Sequence, residues 1–145
     1  MRQKDAVIDS EDWVKFVDMV HSSNTEFAQG IVGDVTKAVW SHSDDATIFG
    51  GYGGFVEPGW NNVEARLMTA AKQAANGTYS YQPIKSVNTG DSAYILQIEH
   101  YLFPGKPVID IRATIICQKE PDGWKIIHRH GEIINTPQSF QETKQ

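Results

Sequence analysis

The stretch Val108-Ile109-Asp110-Ile111-Arg112-Ala113-Thr114-Ile115-Ile116-Cys117-Gln118 is bounded by Phe103-Pro104-Gly105-Lys106-Pro107 on one side and Glu120-Pro121-Asp122-Gly123 on the other. A run dominated by β-branched side chains between two Gly/Pro turns reads as one strand with a hairpin at each end. The pattern continues outward. Ser92 to Phe103 precedes this strand, Trp124 to Ile134 follows it, and Thr78 to Val87 lies further upstream across Asn88-Thr89-Gly90-Asp91. Every connection is short and joins Gly to Asn, Asp or Pro, so the four runs form an antiparallel meander.

Upstream the apolar period changes. Between Asp9 and about Phe27, residues Trp13, Phe16, Val17 and Val20 fall at i, i+3, i+4 and i+7, which predicts an amphipathic helix with Asp9 or Ser10 as its N-cap. A break near Asn24 to Gly30 leads to a shorter helix carrying Ile31, Val35 and Val39. Ala46 to Phe49 reads as a short strand, and Gly50-Gly51-Tyr52-Gly53-Gly54 as a flexible loop. Pro58 then opens a third helix, with Trp60, Val63, Leu67, Ala71 and Ala74 on one face and an end near Asn76-Gly77. Helices first and strands afterwards define an α+β domain with its helices on one face of the sheet, not a βαβ repeat. No internal repeat or linker divides residues 1–145, and Gln138 to Gln145 are expected to fray.

Composition narrows the partners. The 145 residues suffice for one core, and the formal charge of -5 is spread along the chain with no basic stripe, which argues against nucleic acid. The single cysteine, Cys117, permits no intrachain disulfide and reads as core packing. No apolar run reaches membrane-spanning length, and Met1-Arg2-Gln3-Lys4-Asp5 lacks the pattern of a secretory signal, so a cytoplasmic protein without membrane contact is expected. The sequon Asn76-Gly77-Thr78 reads as chance in that setting. Trp13, Trp40, Trp60 and Trp124 build a core or line a cavity, which points to small molecules.

Three stretches carry a family likeness: Gly33 through Val39-Trp40-Ser41-His42-Ser43-Asp44-Asp45-Ala46-Thr47-Ile48-Phe49, then Gly59-Trp60, and finally Asp122-Gly123-Trp124-Lys125-Ile126-Ile127-His128-Arg129-His130. In this order and spacing the chain resembles the nuclear transport factor 2-like superfamily, especially its SnoaL-like and ketosteroid-isomerase-like branches. The resemblance implies a cone-shaped curved sheet with three helices, the cystatin-like roll, whose open end admits a small, mostly apolar ligand, and a homodimer formed through the sheet. The family includes isomerases, dehydratases, cyclases, epoxide hydrolases and proteins without catalysis, so it implies no single reaction. The ending also resembles the association domain of calcium/calmodulin-dependent kinases, which has an arginine on its penultimate strand, matched here by Arg112.

Several residues are candidates for chemistry. Regular alternation puts His128, His130 and Glu132 on one face of the last strand, where an imidazole can move protons or orient a ligand; the alternative is a pair of satisfied polar side chains. A metal is not expected, because a mononuclear site needs three convergent ligands with support behind them. Arg112, inside an apolar strand, either clamps an anionic group or pairs with Asp110, Glu99 or Glu132. Either Glu99 or His100 shares its face as an acid/base candidate, and the register decides which. Asp44 and Asp45 read as turn chemistry. Trp40, Phe49 and Trp60 are assigned to the pocket wall, and Tyr52 and Phe55 to a lid over its mouth or to a plain surface loop. Two functions remain open: a cofactor-independent acid/base enzyme, such as an isomerase, dehydratase or related lyase acting on a small apolar or anionic substrate, and a non-catalytic ligand-binding or oligomerisation module.

Overall fold

The computed structural model describes residues 2–134, with side chains from Glu11 onward; the expected fraying of Gln138 to Gln145 lies outside the described residues. Helix α1 spans Arg2–Ala28, α2 Asp34–Val39 and α3 Trp60–Ala71. Strand β1 is Thr47–Phe49, and β2 Thr78–Asn88, β3 Ser92–Leu102, β4 Ile109–Glu120 and β5 Gly123–Ile133 follow. The sheet order is β1-β5-β4-β3-β2. The four long strands form the expected antiparallel meander, and β1 adds to β5 in parallel.

Helix α1 starts at Arg2, earlier than the expected cap at Asp9 or Ser10. Nothing in Arg2-Gln3-Lys4-Asp5-Ala6 breaks a helix, and Arg, Gln, Lys and Ala all favour one. It ends in a Schellman arrangement: Gly30 N–H donates to Phe27 O at 2.8 Å, Ile31 N–H to Glu26 O at 2.9 Å, and Gly30 takes φ +86°. A Cβ at Gly30 would stand 2.6 Å from Ala74 O, so glycine also lets the end of α1 dock on the chain after α3. That motif leaves Ile31 outside α2, with Thr36 and Val39 as the residues α2 buries. Ala74 likewise lies beyond α3 yet remains buried.

The concave face of the sheet is divided. Ala93 and Ile95 on β3, Ile115 and Cys117 on β4, and Trp124 and Ile126 on β5 form an apolar half, covered by Trp13, Phe16 and Val20 of α1 with Val39, Trp40, Trp60 and Val63. Trp13 meets Trp124 edge-on at 5.0 Å and donates its Nε1–H to Ser86 Oγ at 3.2 Å. Toward the other end the same face carries Gln97, Glu99 and Tyr101 on β3 beside Tyr79 and Tyr81 on β2. That half is polar.

Two bulges interrupt the ladders, one at Ile84 in β2 and one at Ile127 in β5. The second matters most. Ile126 pairs with Cys117 and His128 with Ile116, so Ile127 is the extra residue, and beyond it the faces of β5 exchange.

Candidate functional site

The polar half centres on a carboxylate with no solvent exposure. Glu99 is 0 % exposed and lies opposite Ile111, on the concave face. From β5, on the far side of β4, Arg129 reaches it in a bidentate pair: Nη2 to Oε1 at 2.6 Å and Nη1 to Oε2 at 3.0 Å. Room for that reach comes from two small residues, since Arg129 is paired with Ile115, and the next row on its face is Ala113 against Gly131. A Cβ at Gly131 would lie 3.2 Å from Ile111 Cγ2 and 3.6 Å from Arg129 Nη2. Glu99 further accepts from Tyr101 Oη at 3.0 Å, Gln97 Nε2 at 2.7 Å and Asn24 Nδ2 at 3.4 Å.

Burial pushes the Glu99 carboxyl up, but the Arg129 charge and the bonds from Arg129, Gln97 and Tyr101 outweigh it and hold the group below the usual carboxylate range. Arg129 is likewise desolvated, yet the charge of Glu99 raises its pKa further. Burial and the nearby carboxylate push the Tyr79 and Tyr101 phenols up, so both are neutral. The net charge of this cluster is zero.

Hydrogen-bond counting fixes one more proton. Because Glu99 Oε2 is an acceptor, the amide nitrogens of Gln97 and Asn24 face it, and each gives its second N–H to Tyr79 Oη, at 3.3 and 3.1 Å. Both lone pairs of Tyr79 Oη are then occupied. Its own O–H donates to His21 Nδ1 at 2.8 Å. His21 is therefore a neutral imidazole carrying its proton on Nε2, in keeping with a pKa lowered by burial despite Glu99 and Asp18. Its ring stacks on Tyr81, with centroids 3.5 Å apart.

The residues singled out from sequence are placed as follows. Of Glu99 and His100, the register turns Glu99 inward, while His100 points outward and bonds Asp110 at 2.7 Å. Arg112 also faces outward, more than half exposed, and forms its ion pair with Glu132. The pocket placement of Arg112 is thus corrected in favour of its pairing with Glu132: its immediate neighbours Ile111 and Ala113 own the inner face, so alternation along β4 turns Arg112 outward. His128 and His130 are corrected likewise, because the bulge at Ile127 moves them to the outer face and turns Arg129 inward. There His128 Nδ1 bonds Thr47 Oγ1 at 2.8 Å, and the Phe49 ring meets both imidazoles edge-on. Burial lowers the His128 pKa and the neighbouring His130 adds to this. Phe49 is consequently an outer-face residue, not a pocket wall.

Trp40 and Trp60 are buried in the apolar half, 6.2 Å apart, as packing. Tyr52 and Phe55 project from the glycine-rich loop, 76 % and 71 % exposed. Arg66 of α3 holds that loop by donating to Gly53 O at 2.7 Å, and Gly51 lies against Ile133. Burial pushes the Cys117 thiol up to about 12, as suits a packing residue. Among the described residues no group of three or more His, Cys, Asp or Glu side chains could hold a metal ion. Nor is any helix of the described residues long and apolar enough to cross a membrane.

Sequence reasoning did not single out Arg129, Asn24, His21, Tyr79, Gln97 or Tyr101. One signal was present: Gln97, Glu99 and Tyr101 alternate with apolar residues on β3, a polar row on the face that continues Ala93 and Ile95.

No protein-family profile and no curated protein matches the sequence. Solved structures do match by shape. A candidate calcium/calmodulin-dependent protein kinase type II association domain from Thiobacillus denitrificans superposes with a TM-score of 0.71 at 16% identity, covering 83% of this chain and 93% of its own. A candidate dehydratase of the NTF2-like family from Streptomyces avermitilis gives 0.69 at 14% identity, over 89% and 98%. A candidate ketosteroid isomerase from Parabacteroides distasonis gives 0.61 at 15% identity, over 80% and 86%. The chain has the nuclear transport factor 2-like, cystatin-like α+β fold.

Proposed function

We propose that this chain binds a small organic molecule in the polar half of its cone, with Arg129 as the contact group and the Glu99 network holding that guanidinium in place. The observation that carries the reading is the buried Glu99–Arg129 pair with its ring of polar partners. Stability alone accounts poorly for it, since apolar residues of similar volume commonly stabilise as much or more. Arg129 spends its two terminal nitrogens on Glu99, and its Nε–H meets no acceptor among the described residues. The Arg129 side chain keeps 16% exposure, and Trp124 Nε1 is the one sealed, unpartnered side-chain polar atom among the described residues.

Glu99 accepts from Arg129 twice and from Tyr101, Gln97 and Asn24 once each, which commits the carboxylate to positioning. Binding is thus better supported than turnover through Glu99. An isomerase or dehydratase activity, as named for some proteins of this fold, would use His21, whose Nδ1 accepts from Tyr79 in the same network. The test is a thermal-shift screen with small organic compounds. A true ligand at about a hundredfold excess over its Kd raises Tm by roughly 5–10 °C and leaves an Arg129→Met/Glu99→Leu double variant unmoved. A broad library with no hit, or a hit that shifts both proteins equally, sinks the reading.

The outer face favours a second role, self-association. Tyr94, Leu96 and Ile98 of β3 are half-buried there beside exposed Ile116 and Leu102, while Arg112 pairs with Glu132 and His100 bonds Asp110. An apolar strip flanked by a self-contained ion pair suits a second copy of itself. Ile109, by contrast, lies on the inner face, opposite Tyr101, and is no part of that strip. Light scattering should give a mass near twice 16.2 kDa for the natural chain and near 16.2 kDa for Ile116→Asp. A natural chain that stays monomeric at high concentration removes this role.

A further inference from the structure

We infer that the cone site selects an uncharged, planar hydrogen-bond acceptor, such as a carboxamide or ketone, and rejects the matching carboxylate. This rests on the binding reading above and names its ligand class. The argument is charge balance. Among the described residues Arg129 is the one cation on the polar half of the concave face, and Glu99 already takes it in a bidentate grip. The other groups facing the cluster are His21 and Asn24 from α1, Tyr79 and Tyr81 from β2, and Gln97 and Tyr101 from β3. None supplies a second positive charge, because the hydrogen-bond count makes His21 neutral.

A ligand carboxylate entering here would be the second anion on one guanidinium, shed its water and gain no net ion pairing. A neutral carbonyl asks for less. The unused Nε–H and outer N–H groups of Arg129 offer donors in one plane, and an uncharged acceptor forfeits little hydration to reach them. The half-buried Ile111 and Ile133, neighbours in register on the same inner face, supply apolar surface for the rest of such a molecule.

Benzamide and benzoate test this directly, being nearly identical in shape and different in charge. Each is titrated into the full chain at pH 7, followed through the Arg129 Nε–H resonance by NMR. Benzamide is expected to shift that resonance and to bind roughly tenfold or more tightly than benzoate. Benzoate binding as tightly as benzamide overturns the ligand class while leaving the cone site standing. If neither compound moves the resonance at millimolar concentration, the cone site itself falls, and this inference with it. A Glu99→Gln variant adds an internal check, for with the competing anion gone benzoate should overtake benzamide. A folded Glu99→Gln protein that still prefers benzamide contradicts the charge-balance argument, and if that variant does not fold the natural-chain titration decides alone.

Discussion

Arg129→Met is expected to cost about 3–5 kcal/mol of folding stability, because it strands a carboxylate with no exposure to water. Gln97, Tyr101 and Asn24 would still donate to Glu99, but neutral donors do not replace a charge at 2.6 Å. The pH dependence should invert as well. In the natural chain Glu99 has a folded pKa below its ordinary value of 4.5, so its contribution is present above that value and is lost as pH falls through the folded one. In the variant, burial without Arg129 raises the folded pKa above 4.5. Whatever stability Glu99 then contributes is present in acid and is lost as pH rises. Urea unfolding between pH 4 and pH 8 reads both slopes. A loss below about 1 kcal/mol, or parallel slopes, would show that water enters and the pair is not desolvated. Adding Glu99→Leu to Arg129→Met should recover most of the loss, since removing both partners leaves no orphaned charge.

How far the sequence discloses this molecule depends on which interaction decides each feature. The hairpins were legible because their determinants are local: Asn88 to Asp91, Phe103 to Pro107 and Glu120 to Gly123 place strand ends within a residue or two of β2 to β5. The end of α1 was legible for the same reason, being set by Gly30. The site was not, because it depends on parity. One extra residue, Ile127, carries no turn signal of its own, yet it turns Arg129 inward and His128 and His130 outward. Glu99 was identified as one of two possibilities, and only the pairing of β3 with β4 separates it from His100. Arg129 was hidden further, since its reach to Glu99 depends on Ala113 and Gly131 being small on a neighbouring row, a relation between strands that no window along the chain contains.

Trp13→Ala tests the other half of the cone and should also cost about 3–5 kcal/mol. Trp13 is 8 % exposed and bridges α1 to the sheet, tilted against Phe16 at 5.6 Å and edge-on to Trp124 at 5.0 Å. Truncation leaves a ring-sized void between elements that cannot close on it, because Trp124 is anchored in β5 and Val20 is already packed. The lost bond to Ser86 adds little, as Ser86 is exposed and water replaces the donor. Trp13→Phe keeps most of the apolar contact and should lose well under half as much. Equilibrium denaturation of the three proteins separates these cases, and a Trp13→Ala loss under about 1 kcal/mol would mean that α1 does not plug this end. The Arg129 Nε–H resonance should stay in place in the folded fraction of Trp13→Ala, while Arg129→Met removes it. Stability concentrated in the apolar half frees the polar half from packing demands, and a charged network needs that freedom if it is to serve a ligand.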